Sequence, residues 1–198
     1  MALLFDDTVL FDDGKKRFVD FNLPGTELKL WEQFFPRSES DYYYRKFISD
    51  TPWAQYRRKM YDKIVPDPRL TAWYGKNGNE WTPELVAIKS KVEAVAGVLF
   101  DGVLLNYYRD GNDSVSWHSD NLPASGKATP IASVTFGEKR VFKVRHKTRK
   151  DIQQLNIPLT HGSLLLMGET MQLYYEHHIP KTAMKISSRI NLTFRMIE

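Results

Sequence analysis

The run RINLTFRM, from Arg189 to Met196, alternates without interruption: Arg189, Asn191, Thr193 and Arg195 against Ile190, Leu192, Phe194 and Met196. Successive side chains of a strand point to opposite faces. The pattern therefore predicts a strand whose apolar face enters a core while two arginines, an asparagine and a threonine share the other face. A short period runs back through most of the second half of the chain. VLLNYY, VSWHSD, IASVTF, RVFKVR, LNIPL, SLLLM and QLYYEHH all read as strands, punctuated by turns at Asp110-Gly111, Gly137-Glu138 and His161-Gly162. Many short strands at close spacing argue for a sandwich or barrel rather than a βαβ sheet. The expected fold is mainly β with flanking helices (α+β): a double-stranded β-helix, or jelly roll, over residues 98–198. Residues 1–97 are expected to form an N-terminal elaboration of helices, strands and substrate-facing hairpins within one structural domain.

The first half carries the helical signals. Tyr44, Phe47 and Ile48 recur with helical spacing until Asp50-Thr51-Pro52 stops them, and Thr82-Pro83 opens a second helix with an apolar face of Leu85, Ile88, Val92, Val95 and Ala96 that ends at Gly97. Residues 1–23 read as short strands broken at Asp12-Asp13-Gly14. At 198 residues the chain suits one domain with a substantial core, and 42% hydrophobic with 26% charged residues is ordinary globular composition. The absence of cysteine excludes disulfides, zinc thiolates and thiol nucleophiles. Acidic residues interrupt the apolar stretches at the N-terminus, and no apolar run approaches membrane-spanning length, so a soluble, non-secreted protein of the cytoplasm or the nucleoid or nucleus is expected, without membrane partners. Net charge is a modest +4, which by itself does not predict nucleic-acid binding.

The chemistry lies among the strands. His118 and Asp120 are two residues apart and would project on one face, offering an imidazole and a carboxylate to a divalent metal; His177 or His178, late in the chain, offers a third ligand. Two histidines and one carboxylate with open positions describe a non-heme Fe(II) oxygenase site, although zinc hydrolases use similar ligands. An oxygenase that consumes a 2-oxo acid also needs a cation for the far carboxylate. Arg189 and Arg195 follow closely on one strand face, with Asn106 and Tyr108 of LLNYYRDG sharing a face of another strand. A hydrolytic zinc site has no such requirement.

These residues resemble the AlkB family of Fe(II)- and 2-oxoglutarate-dependent dioxygenases, closest to its DNA-repair branch. The resemblance rests on N-x-Y-x-D-G at Asn106 to Gly111, W-H-S-D at Trp117 to Asp120, P-I-A-S-V-T-F-G at Pro130 to Gly137, H-G-S-L-L-L-M at His161 to Met167, H-x-x-P at His177 to Pro180 and R-I-N-L-T-F-R at Arg189 to Arg195, and more thinly on PRLTAWYG at Pro68 to Gly75. It implies His118, Asp120 and His177 as iron ligands, with His178 out of step. It also implies Arg189, Tyr108 and Asn191 on the distal carboxylate of 2-oxoglutarate, and Arg195 with Asn106 near the carboxylate beside the keto group, Thr193 sharing their wall. The implied reaction uses Fe(II), 2-oxoglutarate and O₂ to hydroxylate an N-methyl group of a base of the 1-methyladenine or 3-methylcytosine type in DNA, releasing formaldehyde, succinate and CO₂. RNA, a protein or a small molecule is the alternative substrate, and a monomer is expected.

A base inside a duplex does not reach such a pocket, so it must be flipped out or come from a single strand. Two basic stretches could hold phosphates: Tyr56 to Lys63, and the stronger one from Lys139 through Arg145 and Lys147 to Lys150. Met60-Tyr61 occupies the place where some relatives carry an apolar wedge. Arg69, Trp73, Tyr74, Asn121, Arg145 and Lys147 complete the expected substrate contacts. Two features depart from the family pattern: a lid of the form Tyr-x-Tyr-Ser-Gly is replaced by Lys76-Asn77-Gly78-Asn79-Glu80, and Asn121-Leu122 stands where relatives place an acidic residue.

Overall fold

The computed structural model describes residues 18–60, 62–123 and 125–197; the strands expected before Phe18 and the wedge candidate Tyr61 lie outside them. The first half contains β1 (Val19–Asp20), β2 (Leu28–Trp31), α1 (Arg37–Asp50), β3 (Arg57–Met60), β4 (Lys63–Pro66), β5 (Leu70–Gly75) and α2 (Pro83–Ala96). The second contains β6 (Gly102–Tyr108), β7 (Val115–His118), β8 (Ile131–Gly137), β9 (Arg140–His146), β10 (Leu155–Leu159), β11 (Ser163–Met167), α3 (Met171–Tyr174), β12 (Tyr175–Ile179) and β13 (Arg189–Arg195).

The last eight strands are shared between two sheets. A seven-stranded sheet has the order β1-β2-β11-β8-β13-β6-β5, and a four-stranded sheet the order β10-β9-β12-β7, which is the jelly-roll arrangement expected from the strand spacing. Strands β1, β2 and β5, from before Gly97, extend the larger sheet. Hairpin β3-β4 joins neither sheet.

Burial on both sides of the larger sheet explains the run that ends the chain. On one side Ile190, Leu192 and Phe194 pack with Phe35, Phe47, Leu85, Ile88 and Phe136 beneath the two long helices. The opposite face of β13 is not left to water: Arg189, Asn191 and Thr193 are buried as well, and Arg195 is half-buried. They look into the space between the sheets, where Tyr108, Phe142, Val144, Met167 and Ile179 form a second core. A polar stripe buried on a central strand needs partners or a ligand, because unpaired buried polar groups are costly.

Helix α2 follows its capping signals and buries Leu85, Ile88 and Val92, but Val95 of the expected apolar face is exposed near the helix end. The Thr82 hydroxyl accepts a hydrogen bond from Leu85 N at 3.3 Å, Pro83 opens the first turn, and Gly97 closes the helix at φ 69°. Thr82→Ala is expected to destabilise the protein by about 1 kcal/mol, the usual worth of such a cap, measured as a lower midpoint of urea unfolding with unchanged slope.

Two strands differ from expectation. QLYYEHH divides into α3 and β12, because Met171 and Gln172 are both buried while Leu173 and Tyr174 are both exposed, a paired pattern no strand produces. VSWHSD stops at His118. Its pairing shifts between His177↔His118 and Ile179↔Val115, so three steps along β7 oppose two along β12, a β-bulge that turns both Val115 and His118 inward. Among the described residues, no helix is long and apolar enough to cross a membrane.

Candidate functional site

The smaller sheet brings the three candidate ligands together. His177 of β12 lies opposite His118 of β7 in the ladder, their rings 4.3 Å apart, and the ligand atoms of His118, Asp120 and His177 all fall within 4.8 Å of one another. His118 Nδ1 lies 2.8 Å from the Ser116 carbonyl oxygen; since only a protonated nitrogen bonds there, the Nε2 lone pair is left free, 3.7 Å from Asp120 Oδ1. His177 stacks on Phe142 with ring centroids 5.0 Å apart, and burial pushes its pKa down to about 4, which keeps the imidazole in its neutral, ligating form. His178 faces the other way, against Trp117 at 5.0 Å, as strand alternation requires. Asp120 arrives by a different route from the one expected. It lies beyond the end of β7, and Arg195 Nη2 donates to its Oδ1 at 2.8 Å.

The larger sheet lines the same cleft with donors. Arg189, Asn191, Thr193 and Arg195 from β13 join Asn106 and Tyr108 from β6 around about 470 Å³ of empty space, its open mouth included. Arg189 is 1% exposed. Its Nη2 donates to Thr135 Oγ1 at 2.9 Å and its guanidinium lies over the Tyr108 ring at 5.1 Å, while Nε and Nη1 are buried with no partner. Burial lowers its pKa to about 10, so it remains a cation at neutral pH. Asn191 donates to Ser133 Oγ at 2.7 Å and accepts from Thr193 Oγ1 at 3.0 Å.

These unpartnered groups test the fit of the implied ligands. A buried guanidinium with two free N–H groups in a polar cleft is incomplete without an acceptor, and a carboxylate supplies two oxygens to such a fork. Two imidazoles and a carboxylate converging on one point suit a first-row divalent metal. Both groups fit.

Comparison with known proteins agrees with this geometry. A sequence profile of the 2OG-Fe(II) oxygenase superfamily matches residues 27–195. The human DNA oxidative demethylase ALKBH2 is 32% identical over 184 residues, covering 82% of this chain and 70% of that protein. The chain belongs to the AlkB family of 2OG-Fe(II) oxygenases. The rat alpha-ketoglutarate-dependent dioxygenase alkB homolog 3 is 36% identical over 186 residues, covering 85% of this chain; the chain spans 63% of that relative's length. The solved structure of OsALKBH1 superposes with a TM-score of 0.68 at 16% identity, covering 91% of this chain and 100% of that one, which establishes the shared fold.

This AlkB-family chain places its expected substrate residues unevenly. Arg69 lies in the cleft, donating from Nε to Asn106 Oδ1 at 2.8 Å, with Nη1 buried and unpartnered. Asn121 is exposed beside Asp120. Tyr74 is not a stacking surface: it is 5% exposed in the core beneath the helices, on the far face of β5. Trp73 shares the sheet face of the cleft but packs against Gly78 and Gly102, its indole N–H bonded to the Lys76 carbonyl at 2.8 Å, and does not line the cleft. Met60 ends β3, and its side chain is outside the described part of the structure.

The basic stretch expected to be stronger is partly neutralised and partly tied to the fold. Arg145 pairs with Glu176 at 2.6 Å and covers the Trp117 ring at 4.0 Å, while Lys147 Nζ donates to the Gln172 carbonyl at 2.7 Å. Arg149 pairs with Asp151, and buried Arg140 donates to the carbonyls of Asp110, Asp113 and Pro180. Of that stretch, Lys139, Arg140, Lys143, Lys147 and Lys150 have no acidic side-chain ion-pair partner among the described residues. Charge counting along the sequence missed the Arg145 pair because Glu176 comes from β12. Sequence reasoning also passed over Ser133 and Thr135, two hydroxyls on one face of buried β8. Their spacing by two inside an apolar run was the available signal.

Proposed function

We propose that this chain is an Fe(II)- and 2-oxoglutarate-dependent oxygenase that removes N-alkyl groups from nucleic-acid bases, with DNA as the first substrate. The observation that carries the reading is the juxtaposition across one cleft of the His118, Asp120 and His177 cluster with the incompletely bonded Arg189. Similarity to a DNA oxidative demethylase supports the substrate class. When bound, Fe(II), 2-oxoglutarate and O₂ supply the oxidising power that hydroxylates an N-methyl carbon, after which the base is freed with loss of formaldehyde.

The remaining work belongs to the side chains. His118, Asp120 and His177 hold the metal, and Arg195 fixes the Asp120 carboxylate from the facing sheet. Arg189, with Tyr108 and Asn191, would hold the distal carboxylate of 2-oxoglutarate, and Arg195 with Asn106 would serve its other carboxylate, Thr193 sharing the wall of the same cleft. Phe142, Met167 and Ile179 give the cleft an apolar lining that limits water. Hairpin β3-β4, with exposed Tyr56, Arg57 and Ile64, is the surface best disposed to meet the nucleic acid.

Incubation of single-stranded DNA oligomers carrying 1-methyladenine or 3-methylcytosine with protein, Fe(II), 2-oxoglutarate and ascorbate, read by mass spectrometry, is expected to show loss of 14 mass units, roughly one methylene. The Asp120→Ala protein is expected to leave the oligomers intact. Methyl loss from RNA alone would move the substrate to RNA. Tight 2-oxoglutarate binding with every oligomer unchanged would transfer the oxygenase to a protein or small-molecule substrate.

A further inference from the structure

We propose that Gln172, braced by Lys147, is a positioning residue that sets the metal affinity of the site by fixing the backbone of Asp120. The proposal rests on the reading of His118, Asp120 and His177 as metal ligands.

The need for such a residue follows from where Asp120 sits. Both histidines belong to paired strands, so the ladder between β7 and β12 fixes their backbones. Asp120 has no ladder, because β7 ends at His118. A side chain at the end of an unpaired segment is free to swing through its own backbone dihedrals, whereas a metal site tolerates displacements of only about 0.5 Å. Arg195 holds the tip of the carboxylate from the facing sheet, so it is the backbone that needs a hold of its own.

Two tethers from the segment preceding and opening β12 supply it. Ser119 Oγ donates to the Tyr175 carbonyl at 2.8 Å, and Asp120 N donates to Gln172 Oε1 at 2.8 Å. Gln172 is only 4% exposed, and its orientation is set by chemistry: an N–H donor faces the amide oxygen, while the amide nitrogen turns to Met167 Sδ at 3.6 Å. The turn that carries Gln172 is itself held from outside. Lys147 Nζ donates to the Gln172 carbonyl at 2.7 Å, and Lys147 N donates to the Tyr174 carbonyl at 2.9 Å. A chain of contacts therefore runs from the end of β9, through α3, to the carboxylate ligand.

An apolar residue at position 172 would fill the space equally well but leave the Asp120 N–H buried without an acceptor, and that N–H would turn to seek one. Polar partners of this kind commonly change metal affinity by 10- to 100-fold, roughly, when removed. The contact is made by the backbone rather than by the ligating atom. It acts on the direction from which the carboxylate approaches, not on its basicity.

The test uses Mn(II) as the probe and needs no turnover. Mn(II) binding to the purified apo protein is measured by electron paramagnetic resonance for wild type, Gln172→Leu, Gln172→Glu and Lys147→Met, alongside apo melting temperatures. Gln172→Leu is expected to bind Mn(II) about 10- to 100-fold more weakly with little change in apo melting. Gln172→Glu, which keeps an acceptor oxygen at the same place, is expected to stay within roughly threefold of wild type, and Lys147→Met to fall between the two. Wild-type affinity in Gln172→Leu overturns the proposal. So does an equal loss in the Glu variant, since that would trace the effect to packing alone. If Gln172→Leu does not fold, unchanged Mn(II) affinity in Lys147→Met overturns it. Failure of wild type to bind Mn(II) overturns the metal reading itself, and the proposal with it.

Discussion

Arg189→Met is expected to weaken 2-oxoglutarate binding by at least about thirtyfold while leaving the apo protein as stable as wild type, or slightly more so. The two halves of this result have one cause. Arg189 is 1% exposed, and its Nε and Nη1 have no partner. In the apo protein it is a desolvated cation bonded through Nη2 to Thr135 and lying over the Tyr108 ring, and replacing a buried charge by an apolar chain of similar length is commonly neutral or stabilising. With 2-oxoglutarate present, the same substitution removes one partner of a buried charge pair, worth roughly 2–5 kcal/mol. A tenfold change in affinity corresponds to about 1.4 kcal/mol, which gives the stated bound. Thermal unfolding with and without the co-substrate reads both effects. Wild type should melt higher with 2-oxoglutarate, and the variant should not respond. A variant whose melting temperature rises with 2-oxoglutarate as much as that of wild type would remove Arg189 from the carboxylate site.

The second large effect is expected from Asp120→Asn. The change preserves shape but replaces an anionic ligand by a neutral amide and deprives Arg195 of its counter-charge. Divalent metal affinity should fall at least about a hundredfold, beyond the range seen for removing an outer hydrogen-bonding partner. Succinate formation should fall with it. Because the Asp120 pair with Arg195 is only partly screened from water, the cost to apo stability should be about 1 kcal/mol. Calorimetric titration with Mn(II) separates the two contributions. Wild-type metal affinity in this variant would mean that the two histidines suffice and that Asp120 serves Arg195 instead.

The alternation of Arg189 to Met196 was sufficient to place four polar side chains on one strand face, and the smaller sheet lying across that face of β13 explains why it is buried rather than wet. Local period reveals which residues share a face but not what covers it. Alternation placed His177 and His178 on opposite faces, but only the family resemblance chose His177 as the ligand. Asp120 was found by a rule that does not apply to it: spacing by two suggested a strand, whereas a bulge and an unpaired segment deliver the carboxylate. Long-range partners were the least accessible. Glu176 neutralises Arg145 from 31 residues away, and Gln172 reaches Asp120 across 52, separations that no local pattern encodes. Trp73 and Tyr74 show the same limit, since an aromatic pair on β5 reads alike whether it stacks on a base or fills a core.

Among the described residues, hairpin β3-β4 is closed at its base, where Asp67 N donates to the Tyr56 carbonyl and the Gln55 amide donates to the Asp67 carbonyl, and Ala54 beside it bridges to Thr71 of β5. None of the ladders that support the metal or Arg189 passes through residues 57–66. Exchange of that segment is therefore expected to leave the supports of the metal ligands and of Arg189 in place, so that recognition and chemistry can be altered independently.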